Sequence, residues 1–144
     1  MRALAAAAAL ALGLAQNLAA AEAADFSAGV AAFDAGDHAE AWLQFRMLAE
    51  DGDSAAQYNL GQFYREGIGI PADLREARRW YEKAAAQGHA LAEYALGVMF
   101  ENGDGGRRDL AAARMWYGRA KEKKVAAAAA ALERIEIKLR ESPR

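Results

Sequence analysis

The residues able to act as nucleophiles, bases or metal ligands are few and scattered. His38 and His89 are the only histidines, and neither stands in an H-E-x-x-H or comparable spacing that would aim two side chains at one ion. The serines are Ser27, Ser54 and Ser142, none framed by the G-x-S-x-G turn that presents a nucleophile. Cysteine is absent, which removes thiolate nucleophiles, thiolate metal sites and disulfides together. The run Gly103-Asp104-Gly105-Gly106-Arg107-Arg108 precedes a helical stretch, where backbone N–H groups attract anions, but it lacks the G-x-x-x-x-G-K-[ST] frame of a phosphate loop. Asn102 and Asp104 beside it are not followed by the further carboxylates of a calcium loop. No nucleophile, base and orienting group recur together, so the expectation is a protein without catalysis, cofactor or metal.

What recurs instead is a whole segment. Residues 54–89 and 90–125 superimpose on a 36-residue shift without an insertion: Ala56 on Ala92, Tyr58 on Tyr94, Leu60-Gly61 on Leu96-Gly97, Gly67 on Gly103, Asp73-Leu74 on Asp109-Leu110, and Trp80-Tyr81 on Trp116-Tyr117. A duplicated unit of this length is the signature of a solenoid, in which each unit buries its apolar face only against its neighbours. Ala56, Leu60, Phe63, Tyr64 and Gly67 fall on one face of a helix, and Leu74, Ala77, Tyr81, Ala84 and Gly88 on one face of a second. Each unit therefore reads as helix, loop, helix. Ser54 with Gln57, and Asp73 with Glu76, have the spacing of capping boxes; Gly67 and Gly103 stand where the first helices should stop. Gly61 and Gly97 lie inside a helix, where glycine costs roughly 1 kcal/mol against alanine, so a close approach of the partner helix is expected there.

Residues 25–53 form a shorter copy, with Phe33 and Gly36 set against Tyr64 and Gly67, and Phe45 against Tyr81. Residues 126–141 make one more helix, read as a cap over the last unit. Ahead of these, Arg2, an Ala/Leu run and the A-x-A patterns at Ala19-Ala20-Ala21 and Ala21-Glu22-Ala23 read as a secretory leader over residues 1–23, cut after Ala21 or Ala23. A buried or interfacial helix is the other reading of that stretch. Gln16 and Asn17 interrupt it, which argues against a membrane span, so no integral membrane segment is expected after processing. The formal charge of −2 points to neither nucleic acid nor an anionic membrane as partner.

Leu60-Gly61, Tyr64, Gly67-x-Gly69, Asp73, Ala77, Trp80-Tyr81, Ala84-Ala85 and Gly88 closely resemble the Sel-one-like repeat, a relative of the tetratricopeptide repeat. The resemblance implies an all-α fold, an α/α superhelical solenoid of about two and a half helix hairpins over residues 24–144, whose first helices line a concave groove that binds a partner protein or peptide. It also implies an exported adaptor, periplasmic or secreted. A cell-wall-associated glycan-binding protein or enzyme is the alternative, and the missing cysteines argue against the cysteine-rich branch of the family that would favour it. By position in the repeat the groove should present Tyr58, Gln62 and Arg65, then Tyr94, Val98 and Glu101, with Ser27, Ala31 and Asp34 continuing the row. Gln62, Arg65, Val98 and Glu101 are expected to be exposed, whereas Tyr58 and Tyr94 either line the groove or pack between helices. Trp42, out of register with Trp80 and Trp116, is expected to close the end of the stack. Arg75, Arg78, Arg79, Arg114 and Arg119 are expected to be solvated on the outer helices. With so few units, self-association through an open end is a further expectation.

Overall fold

A computed structural model describes residues 24–141; the leader reading over residues 1–23 lies outside the described residues. Among these the secondary structure is helical throughout: α1 (Phe26–Asp34), α2 (His38–Glu50), α3 (Ser54–Glu66), α4 (Leu74–Ala86), α5 (Ala90–Asn102), α6 (Leu110–Glu122) and α7 (Ala128–Glu141). Each helix packs on the next in sequence, which is the nearest-neighbour order of a solenoid. The fold is the expected α/α superhelical stack of hairpins.

The helix boundaries follow from capping chemistry. Asp25, Asp37, Asp53, Asp73 and Asp109 each accept a backbone N–H from the first turn of the helix that follows. The cap of α3 is thus Asp53 and not Ser54, and Gln57 does not reach back to close a box. Gln57 is buried and donates to the Ala49 carbonyl of the preceding helix at 3.1 Å. Gly67 and Gly103 end α3 and α5 with φ of +68° and +81°, the left-handed backbone that glycine tolerates. The long loops then fold back, with the Asp73 and Asp109 N–H groups donating to Tyr64 and Phe100 carbonyls at 2.8 and 2.9 Å.

Alanines fill the core between hairpins while a few large side chains supply its volume. Leu60, Tyr81, Leu96, Met99, Tyr117 and Ile135 are essentially inaccessible to solvent, among Ala41, Ala56, Ala77, Ala92, Ala113 and Ala131. The seventh helix repeats the first-helix pattern of a third unit, since Ala128, Ala131, Leu132 and Ile135 stand 36 residues after Ala92, Ala95, Leu96 and Met99. The glycine of the pattern is missing there, its place taken by Glu133.

Three sequence expectations about packing change. Trp42 is half-buried against the cluster formed by α2 and α3 instead of covering the outer end of the stack. Its repeat counterpart Arg78 is only 13 % exposed and lies over the Phe100 ring at 3.7 Å, so it is an interface residue and not a solvated one. The third change concerns the register of the first hairpin, which the site itself reveals.

Candidate functional site

The geometry of the candidate surface starts at the helix glycines. A Cβ on Gly61 would lie 2.6 Å from the Tyr81 ring, one on Gly97 2.5 Å from Tyr117, and one on Gly29 2.9 Å from Phe45. Each glycine is therefore a seat for an aromatic ring from the second helix of its own hairpin, closer than any side chain would allow. Three residues before each seat stands another aromatic, and the ring pairs repeat: Phe26–Phe45 at 5.3 Å, Tyr58–Tyr81 at 5.7 Å and Tyr94–Tyr117 at 5.5 Å. This packing register sets Phe26, Val30 and Phe33 opposite Tyr58, Gln62 and Arg65. The row expected at Ser27, Ala31 and Asp34 is one residue out, because the stop glycine Gly36 lies one residue farther from its seat than Gly67 does.

The corrected row changes the chemistry of the surface at its N-terminal end. Val30, Phe33, Phe45, Phe63 and Ile68, with Tyr58, Asn59, Gln62 and Glu66 at the edge, enclose a hollow of about 270 Å³ between α1 and α3. Val30 and Phe33 are 39 % and 40 % exposed, an apolar surface no other described residue covers. Tyr58 belongs to both readings: it lines this hollow and is also wedged between helices, against Tyr81 and stacked on His89 at 4.9 Å. His89 caps α5, accepting the Ala92 N–H on Nδ1; burial holds its pKa below the usual imidazole value, keeping that nitrogen an acceptor.

Above the seats, the two tyrosine hydroxyls emerge on the first-helix face and meet different partners. The Tyr81 hydroxyl donates to Gln62 Oε1, and Gln62 Nε2 donates to the Tyr58 hydroxyl at 3.2 Å. Gln62 and Arg65, expected to be exposed, are both partly buried, with Arg65 near Glu66 at 3.4 Å. One unit later, the Tyr117 hydroxyl donates to Glu101 at 2.7 Å. Glu101, expected to be exposed, is 7 % accessible. Arg134 of α7 grips its carboxylate with two hydrogen bonds, Nε at 3.0 Å and Nη2 at 2.7 Å, and Lys138 adds a third at 2.8 Å. The bonds from Arg134 hold the Glu101 pKa down to about 2 against the opposing effect of burial. Burial, reinforced by the Glu101 carboxylate, pushes the Tyr117 hydroxyl up, so it remains a donor. Val98 is half-buried on the cluster of α6 and α7 with Tyr94, leaving Arg134 and Lys138 as the lining that sequence reasoning missed. The signal for Arg134 was its place 36 residues after Val98 and 72 after Gln62.

The Sel1 repeat family profile matches residues 54–89 and 90–125, the two units whose glycine seats and tyrosines superimpose. The chain belongs to the Sel1 repeat family. Among solved structures, this Sel1 repeat chain is similar to a Sel1 repeat protein from Oxalobacter formigenes, with a TM-score of 0.74 and 28% identity over 79% of this chain and 47% of that one. It is also similar to a protective antigen present in uropathogenic Escherichia coli strains, with a TM-score of 0.73 and 32% identity over 76% of this chain and 24% of the antigen. Among curated proteins, it is 47% identical over 45 residues to a chitin synthase regulator of Malassezia restricta, a stretch that is 31% of this chain and 3% of the regulator. The chain thus spans a small part of that relative and less than half of either solved protein.

No group of three or more His, Asp or Glu side chains among the described residues is placed to hold a metal ion, and no described helix is long and apolar enough to cross a membrane.

Proposed function

We propose that this chain is a binding module that holds a protein or peptide partner along the face of its first helices, with no turnover of its own. The observation that carries this reading is the uncovered apolar hollow between α1 and α3, where Val30 and Phe33 lie open beside the polar edge of Asn59 and Gln62. A hollow of this size admits one large apolar side chain, and buried apolar anchors with a polar surround are how interfaces concentrate their energy. Membership of a helical repeat family supports the same reading, since such stacks offer extended faces to partners. The residues taken to contact the partner are Tyr58, Gln62 and Arg65, joined by Val30 and Phe33, with Val98 and the Arg134–Lys138 pair farther along; Tyr94 and Glu101 support the face from within.

The partner is met outside the cytoplasm if the leader pattern of residues 1–23 is processed. Expression of the full chain with N-terminal sequencing of the mature product tests this, with a start at Glu22 or Ala24 expected and an intact Met1 contradicting it. Crosslinking from positions 33 and 62 in envelope extract tests the binding face. Partner proteins crosslinked from both positions, and not from Arg79 on the outer face, support the reading. Equal yields from all three positions would overturn it.

A further inference from the structure

The hollow between α1 and α3 lies toward the C-terminal ends of both helices, and those ends are negatively charged. Val30 and Phe33 stand in the second half of α1, and Gln62, Phe63 and Glu66 in the last turns of α3. The macrodipole puts partial negative charge at a helix C-terminus, where a cation is stabilising and a carboxylate is not. Yet α1 ends on Asp34 and α3 on Glu66, at equivalent positions of adjacent units, whereas α5 ends on the neutral Asn102. Arg65 approaches one Glu66 oxygen at 3.4 Å, in a pair that is 37 and 55 % exposed. Asp34 has no ion-pair partner among the described residues, and the last turn of α1 holds no basic residue. The surroundings do not offset these charges. Residues 25–70, which comprise α1 to α3, carry eight carboxylates against the guanidiniums of Arg46 and Arg65, and Arg46 is paired with Glu50. Extending the span through α4, which packs behind α3, gives eleven carboxylates against six Lys and Arg side chains, so this end of the stack stays acidic.

We propose that the partner segment is basic: a Leu- or Phe-sized side chain fills the α1–α3 hollow, and a Lys or Arg beside it meets Asp34 and Glu66 at the rim. This deepens the binding-face reading above and rests on it. An incoming cation relieves the repulsion between each carboxylate and the end of its own helix, so the rim favours positive charge although neither carboxylate is buried. Phe33 and Asp34 are consecutive, and Phe63 and Glu66 are one turn apart, about 5 Å along the helix. An extended chain advances about 3.3 Å per residue, so anchor and cation are about one or two residues apart on the partner.

The test uses short fluorescein-labelled Ser/Ala peptides carrying Leu followed by Arg-Arg, Gln-Gln or Glu-Glu, titrated with the protein by fluorescence anisotropy. Affinity should fall about three- to fivefold from Arg-Arg to Gln-Gln, the scale of exposed ion pairs, and further with Glu-Glu; the Arg-Arg advantage should shrink as salt is raised. Changing Leu to Ser should weaken binding in every series, and moving Arg-Arg about six residues from Leu should remove its advantage. Gln-Gln or Glu-Glu peptides that bind as tightly as Arg-Arg, while Leu is still required, would overturn this inference and leave the binding-face reading intact. Arg-Arg peptides that bind equally well without Leu would also overturn it, since charge would then act without the hollow. Failure of every Leu peptide would overturn both. Asp34→Asn should reduce the Arg-Arg advantage, whereas Asp51→Asn, the same change of charge beside the N-terminal end of α3, should retain it. Equal reductions would assign the preference to the diffuse field of the chain and overturn the rim site. Both variants are checked for native helicity by circular dichroism, and the peptide comparison decides the question even where one of them loosens.

Discussion

Tyr81 and Tyr117 occupy the same seat one repeat apart, yet their hydroxyls open onto different surroundings. At Tyr81 the hydrogen-bonded neighbours are Gln62 and Tyr58, with the Arg65 guanidinium close by, at the edge of an open hollow. At Tyr117 the neighbour is a buried carboxylate tied to two cations of α7. The positions that build the stack repeat faithfully, whereas the positions that face outward from it have diverged. The stack-building and the outward-facing positions are thus different residues of the same helices.

A second pair of equivalent positions teaches the same lesson inside the interfaces. Between the first and second units Gln87 donates to the Gly52 carbonyl and to Gln57, both at 2.9 Å. Thirty-six residues on, Lys123 donates to the Gly88 carbonyl at 2.9 Å and to the buried Glu93 at 2.5 Å. One clasp is neutral and the other ionic, in the same geometry. They differ in completeness: Gln57 also donates to the Ala49 carbonyl, whereas Glu93 Oε2 is buried without a hydrogen-bond partner.

The largest contrast is expected at Glu101 and its counterpart Arg65. Glu101→Ala should cost about 1–3 kcal/mol in urea unfolding, because Tyr117 and two cations lose their acceptor. Arg65→Ala should stay within about 0.5 kcal/mol, as for an exposed pair; equal losses would erase the distinction between the two ends. The pH dependence follows with a definite sign. Glu101 has a folded pKa of about 2, below its ordinary 4.5, so its contribution is complete above about 4.5 and is lost as pH falls toward 2. In Glu101→Gln that acid-side loss should be smaller; an unchanged profile would assign the acid sensitivity elsewhere.

Next in size, Gly97→Ala and Gly61→Ala should each destabilise by about 1–2 kcal/mol, since overpacking against a buried ring outweighs a gain of roughly 1 kcal/mol in helix propensity. A stabilised variant would mean that the tyrosine ring yields. The smallest effect concerns the clasps. Glu93→Gln with Lys123→Gln, which copies the neutral clasp, should be neutral or stabilising by up to about 1 kcal/mol and should reduce the salt dependence of thermal unfolding. A loss above that size would show that the ion pair outperforms the amide pair.

Much of this was legible without coordinates. The 36-residue period located the helices, the stop glycines Gly67 and Gly103, the close approach at Gly61 and Gly97, and the face bearing Tyr58, Gln62 and Arg65. The first hairpin was misplaced by one residue because its alignment leaned on Gly36, which marks where a helix ends. Packing register is instead fixed by the seat at Gly29, whose partner Phe45 lies on another helix.

The sequence by itself determined the repeating unit, its all-helical character and its buried positions, because those depend on side-chain periodicity within one unit. Tertiary structure decided which of the outward positions are available. Glu101 looks like a surface residue within its own repeat, and becomes a buried post only because Arg134 and Lys138, more than thirty residues away, are brought beside it. Val30 and Phe33 likewise become an open hollow only once α1 settles against α3. Burial of a charge and exposure of an apolar group are both properties of neighbours distant along the chain, and a local pattern does not encode them.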